Sequence, residues 1–223
     1  MTLIRFVRVG ERRAMPPRCQ NAFTLLELLS VVLLIGILLA LGLPALSSFR
    51  ATAVSSGSRA VYNTLNLARQ YAINRHTNTR VVFYYDGTTQ DLNLSKQYGT
   101  YTVIARTNMI TDPECWCQVG NWESLPLGAL FGNSSVTNGS LNDASSLNST
   151  DMDFGFGTRT VAYFEFKPTG AATSPTGGGS NAGTLSIYEG TRRSDGTPAY
   201  VLNSNRVDIV YKALVGRIQI LRP

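Results

Sequence analysis

The sequence predicts an α+β fold, a long N-terminal α-helix packed on an antiparallel β-sheet. Three observations lead there. An apolar run over residues 23–46, FTLLELLSVVLLIGILLALGLPAL, continues in helix-compatible sequence to about Asn74. In its second half Val61, Leu65, Ala68 and Ala72 recur at helical spacing, one stripe of an amphipathic helix. From Arg80 onward the pattern changes to short β-type runs divided by turn residues. A helix followed by runs of strands is the α+β arrangement, with an antiparallel sheet.

The chain has 223 residues, enough for one ordinary domain and an anchor. Residues 1–22 hold Arg5, Arg8, Arg12, Arg13 and Arg18 against Glu11 alone. They account for most of the formal charge of +6, and the remainder is nearly neutral. The whole-chain charge is therefore no argument for nucleic acid. Charge within the remainder is uneven: residues 86–165 are acidic and residues 192–223 basic. Chance clustering on a solvated surface accounts for this more simply than two binding faces.

A basic start followed by an apolar run has the sign of a targeting leader. The run extends for about 20 residues from Leu28, long enough to span a bilayer. No small-residue cleavage site follows it, so a retained anchor is the better reading. Arginines before the run place the N-terminus in the cytoplasm by the positive-inside rule. Glu27 is the anomaly. An ionised side chain in hydrocarbon costs roughly 2.5–3.5 kcal/mol or more and usually has a partner. It can snorkel to the headgroups, or pair with a positive charge. A free α-amino group on Phe23, made by cleavage after Ala22, would be such a charge.

These residues, FTLLELLSVVLLIGILLALGLPA, resemble the N-terminus of type IV pilins and type II secretion pseudopilins. The resemblance implies that a prepilin peptidase cuts between Ala22 and Phe23 and that Phe23 is then N-methylated. It makes Glu27 the charge that registers subunits and Pro44 the helix-kinking proline. Residues 1–22 become a cleaved leader, 23–49 a transmembrane and polymerisation helix, and 50–223 a periplasmic α+β domain of type IV pilin-like fold. Two features depart from the family's pattern. Ala22 stands where glycine is usual, and a 22-residue leader is long, although a start at Met15 would shorten it to MPPRCQNA.

Past Pro44, Gly57 is a weak point in the helix, costing about 1 kcal/mol against alanine. Arg50, Arg59, Arg69, Arg75 and Arg80 occur with no acid between Glu27 and Asp86. We read them as a solvated helix face. The expected strands are Arg80–Tyr85, Tyr101–Ala105, Val161–Phe166, Thr184–Tyr188, Ala199–Leu202, Val207–Tyr211 and Arg217–Leu221. Residues 133–151 and 168–183 are polar and Gly/Ser-rich and read as loops. In this half LNLARQYAINRHTNTRVVF, YFEFKPTG, TLSI and VGRIQI resemble, in order and spacing, the GspH/FimT group of minor pilins and pseudopilins. Residues 106–153 carry no such resemblance.

Few residues of the sequence suggest chemistry. The single histidine, His76, ends the helix and reads as a cap or surface residue. No nucleophile-elbow, zinc-protease or phosphate-loop pattern is present. Asp151 and Asp153 form a DxD expected in a polar loop, where a solvated pair outweighs a cation site. No Cys/His set suggests a metal. Cys115 and Cys117 form a CWC; a local disulfide, an intermolecular one and free thiols all fit the spacing. Some FimT-like members bind DNA through a basic GRxR near the C-terminus. Here Gly216 and Arg217 match, but Gln219 replaces the second arginine and Arg222 lies further on.

The sequence thus points to a non-enzymatic minor type IV pilin without a cofactor, which primes pilus assembly or sits at the tip. A minor pseudopilin of type II secretion is the alternative, and a DNA-binding pilin of natural transformation the third reading. The partners implied are the prepilin peptidase and methylase, other minor and major subunits, and the inner-membrane assembly platform. The place implied is the bacterial inner membrane, with incorporation into a pilus or pseudopilus.

Overall fold

The computed structural model describes residues 24–85, 97–107, 115–133, 140–141, 147–153, 158–175, 182–201 and 205–222, without the side chains of 41–51, 153, 158 and 159. The chain divides into two compact units, Met1–Pro44 and Ala45–Pro223. Helix α1 runs from Leu25 to Arg75. Its expected buried stripe is present in the second unit: Val61, Leu65, Ala68 and Ala72 are all buried, joined by Val54. The helix ends in a paired backbone turn. The Thr77 N–H donates to the Ala72 carbonyl at 3.2 Å and the His76 N–H to Ile73 at 3.4 Å, with His76 at φ 50°. This is a Schellman-type cap with histidine at the left-handed position where glycine is commoner.

Eleven strands follow among the described residues: β1 (Thr79–Tyr84), β2 (Thr100–Arg106), β3 (Trp116–Gln118), β4 (Glu123–Ser124), β5 (Ala129–Phe131), β6 (Asn148–Asp153), β7 (Thr158–Phe166), β8 (Ala182–Arg192), β9 (Pro198–Tyr200), β10 (Arg206–Lys212) and β11 (Arg217–Leu221). They form two antiparallel sheets where a single sheet was expected. The first has the order β3-β2-β1-β7-β6, with β4 also on β2. The second has the order β11-β10-β8-β5, with β9 also on β8.

Aromatic side chains join the two sheets. Phe83 of β1 meets Phe131 of β5 edge-on at 5.1 Å, and Phe164 of β7 meets Tyr211 of β10 at 4.3 Å. This core also takes the buried stripe of α1. Val82, Tyr84, Ile104 and Val161 form a smaller cluster on the other side of the first sheet, with Trp116, Trp122, Met152 and Tyr163 against it. Both faces of β1 are therefore covered, which explains why RVVFYY is a continuous apolar run instead of an alternating one.

Two expectations are corrected. The segment 133–151 is not loop throughout, because Asn148–Asp153 is an edge strand paired with β7. The DxD therefore lies on a strand. The Thr160 hydroxyl, directly opposite Asp151, donates to its carboxylate at 2.7 Å. Gly57, expected as a weak point, has a packing reason. A Cβ there would meet Leu125 Cδ2 at 3.1 Å and Pro126 Cδ at 3.2 Å, so glycine lets this segment lie close on the helix.

Candidate functional site

The first helical turn is built around Thr24 and Glu27. The Glu27 N–H donates to Thr24 Oγ1 at 3.2 Å, which makes Thr24 the N-cap and Glu27 the third helical residue. The pattern T-x-x-E is that of a capping box, and a carboxylate in the first turn complements the helix dipole. Ser30 Oγ donates to the Glu27 carbonyl at 2.8 Å. Glu27 thus has a local helix-starting role beside any partner. Thr24 is the residue that sequence reasoning missed, although the T-x-x-E spacing could have shown it. Ala22 and Phe23 lie outside the described residues.

Every described side chain from Thr24 to Ala40 is exposed. Leu25 is 85% exposed and Leu39 still 61%. A helix this apolar on all sides needs a cover of lipid or protein. Among the described residues no helix is long and apolar enough to cross a membrane. The described side chains of the apolar run stop at Ala40; Pro44 lies in α1 with its side chain outside the described set.

In the second unit three separate sequence stretches meet at Arg69. Its Nε donates to the Gly170 carbonyl and its Nη2 to the Val215 carbonyl, both at 2.9 Å. Gly170 comes from FKPTG and Val215 from VGRIQI, while Arg69 sits in LNLARQYA. Gly170 (φ 79°) and Gly216 (φ 58°) are both left-handed. A Cβ on Gly216 would collide with the Gly170 carbonyl oxygen, and one on Gly170 would meet Ile73 Cδ1 at 2.9 Å. The glycine of VGR therefore has a packing role. Arg217 is exposed on edge strand β11, while Arg222 donates to Ser55 Oγ of α1 at 2.7 Å. The structure does not bring Arg217 and Arg222 to a common contact.

Residues 17–43 match the family described as the prokaryotic N-terminal methylation motif. The chain carries a type IV prepilin motif. The described part of that motif is the exposed apolar helix with its Thr24 cap and Glu27. Among solved structures, the chain is similar to the minor pseudopilin EpsH from the type 2 secretion system of Vibrio cholerae. The identity is 13%, the TM-score 0.42, and the match covers 76% of this chain and 97% of that one. No curated protein matches.

Beyond the prepilin motif, the second unit holds the charge pairs Arg80 with Glu165 and Arg206 with Asp208. Arg80 Nε donates to Glu165 Oε2 at 2.6 Å, and Asn78 donates to the other carboxylate oxygen at 3.0 Å. The Arg80 guanidinium lies 4.0 Å from the Trp116 ring centre and 4.2 Å from that of Tyr163. Burial pushes the Tyr163 phenol pKa up, while Arg80 pulls the other way. Asn78, Arg80, Trp116 and Glu165, with Arg106 and Asp151, line a cleft of about 280 Å³. Arg69 and Arg80 are thus structural ties, not members of a solvated face as expected. Cys115 and Cys117 are free, so the local disulfide is not formed. Among the described residues no cluster of His, Cys, Asp and Glu could hold a metal.

Proposed function

We propose that the chain is a minor type IV pilin of the GspH/FimT group, a non-enzymatic subunit that primes pilus assembly or occupies the tip. One observation carries this reading: the prepilin motif lies on a helix whose described apolar side chains from Leu25 to Ala40 are all exposed, with Glu27 the one charge among them. Such a surface calls for cover. Before assembly the inner membrane provides it, with the N-terminus cytoplasmic and residues 50–223 periplasmic. After assembly the same helices of neighbouring subunits provide it. Glu27 then registers one subunit on the next by pairing with the methylated α-amino group of Phe23. The prepilin peptidase, the assembly platform and other pilins are the partners.

The basic C-terminus has no part in this reading: Arg222 is engaged with Ser55, Gly216 serves packing, and Arg217 is exposed. A deletion strain tests the assignment. Loss of surface pili and twitching with exoprotein secretion intact is the expected result. Intact pili with secretion lost would assign the chain to a type II secretion pseudopilus instead.

A further inference from the structure

The CWC lies at an outer strand of the first sheet, Cys115 just before β3 and Trp116 and Cys117 within it, and has no part in the reading above. Strand β3 pairs with β2 through Ile104↔Gln118, Ala105↔Cys117 and Arg106↔Trp116. The Cys115 carbonyl accepts from the Thr107 N–H at 2.8 Å and from the Thr107 hydroxyl at 3.0 Å. Alternate residues of an extended chain share a face. Cys115 and Cys117 are thus set on one side and Trp116 on the other, where its ring lies on Arg80. Two residues of strand cover about 6.6 Å. That is the wide end of the roughly 4.4–6.8 Å Cα range for disulfides, whose Cβ atoms must also approach to about 3.8 Å. The thiols are neighbours that cannot join while β3 stays extended. Cys117 is exposed and Cys115 half-buried, so an outside reagent reaches Cys117 first.

We propose that Cys115 and Cys117 are a thiol–disulfide exchange site whose oxidation releases β3 from β2. The oxidant is a disulfide, either a small one or the active-site disulfide of an oxidoreductase. The Cys117 thiolate attacks one of its sulfurs, the oxidant's S–S bond breaks, and its other sulfur leaves as a thiolate. The Cys115 thiolate, its proton lost to water, then attacks the Cys117 sulfur. The Cys115–Cys117 bond forms and the oxidant's remaining sulfur departs. In total two electrons and two protons pass from the pair to the oxidant. Closing this ring bends the chain at Trp116, removes the Cys117 pairing with Ala105 and lifts the indole from Arg80. A bridge made against strand geometry is strained, and strained bridges are the readily reduced ones. The exchange is therefore reversible. None of this depends on the pilin reading.

The detergent-solubilised full chain tests it, with Cys19→Ser removing the third cysteine and Trp122→Phe leaving Trp116 as the sole tryptophan. It is equilibrated in mixtures of reduced and oxidised glutathione, and intact mass and tryptophan emission are followed together. The expected product is a monomer lighter by about two mass units, with emission changing at the same midpoint and reversing with excess dithiol. Adding Cys115→Ser gives a lasting glutathione adduct on Cys117 with emission unchanged. Adding Cys117→Ser slows adduct formation about ten-fold or more, because only the half-buried thiol remains. A bridge that forms without an emission change overturns the release of β3. Thiols still free in fully oxidised glutathione, or covalent dimers in place of the monomeric product, overturn the exchange site itself.

Discussion

Arg69 holds the C-terminal end of α1 to two turns that are distant in sequence, and only backbone carbonyls receive it. A carbonyl partner leaves no trace in residue identity, so the sequence alone shows only one more arginine on a helix face. Arg69→Ala should lower stability by about 1.5–3 kcal/mol, the scale for hydrogen bonds to a charged group, as read by denaturant unfolding. The VGR stretch separates by role in the same assay. Gly216→Ala adds a Cβ at φ 58° against the Gly170 carbonyl and should cost about 1–3 kcal/mol. Arg217→Ala, on an exposed strand position, should stay within about 0.5 kcal/mol. Equal losses for both would contradict a packing role peculiar to the glycine. The three stretches LNLARQYA, FKPTG and VGRIQI stood out in the sequence; that they meet at one guanidinium was not legible there.

At the scale of elements, α1 was the most readable part of the chain, because its stripe and its length are both periodic signals. Gly57 was legible as a defect but not as a contact. In an isolated helix Gly57→Val would be favourable, since glycine is the poorer helix former. Here the larger side chain meets Leu125 and Pro126, and a loss of about 1–3 kcal/mol is expected on thermal unfolding. Strands β3, β4, β5 and β6 were missed because their residues are polar or too few to show alternation. What makes them strands is the ladder offered by β2, β7 and β8, a tertiary effect that overrides propensity. The expected strands β1, β2, β7, β8, β9, β10 and β11 all carry β-branched or aromatic residues and are present, with ends shifted by up to a few residues.

For the molecule as a whole, helix-then-strands was enough to give the α+β class. Division into two sheets was not legible, since it depends on which strand ends meet through Phe83, Phe131, Phe164 and Tyr211. Buried tyrosines set the alkaline limit of the fold. Burial raises the phenol pKa values of Tyr101, Tyr200 and Tyr211, and Glu123 adds to the rise at Tyr101. The native state thus favours the neutral phenols. Their contribution is complete below the ordinary value of about 10 and is lost as pH climbs from there toward the raised values. Tyrosinate absorbance should therefore appear in two steps, the later one coinciding with loss of the β-sheet circular dichroism signal. Full ionisation with the sheets intact would refute this. The function proposed rests on the other end of the chain, where Thr24 and Glu27 start an exposed apolar helix under a prepilin motif. Mass spectrometry of the N-terminal peptide from the assembled protein tests that claim most directly. The account predicts a peptide beginning at N-methylated Phe23; residues up to Ala22 still attached in assembled material would contradict it.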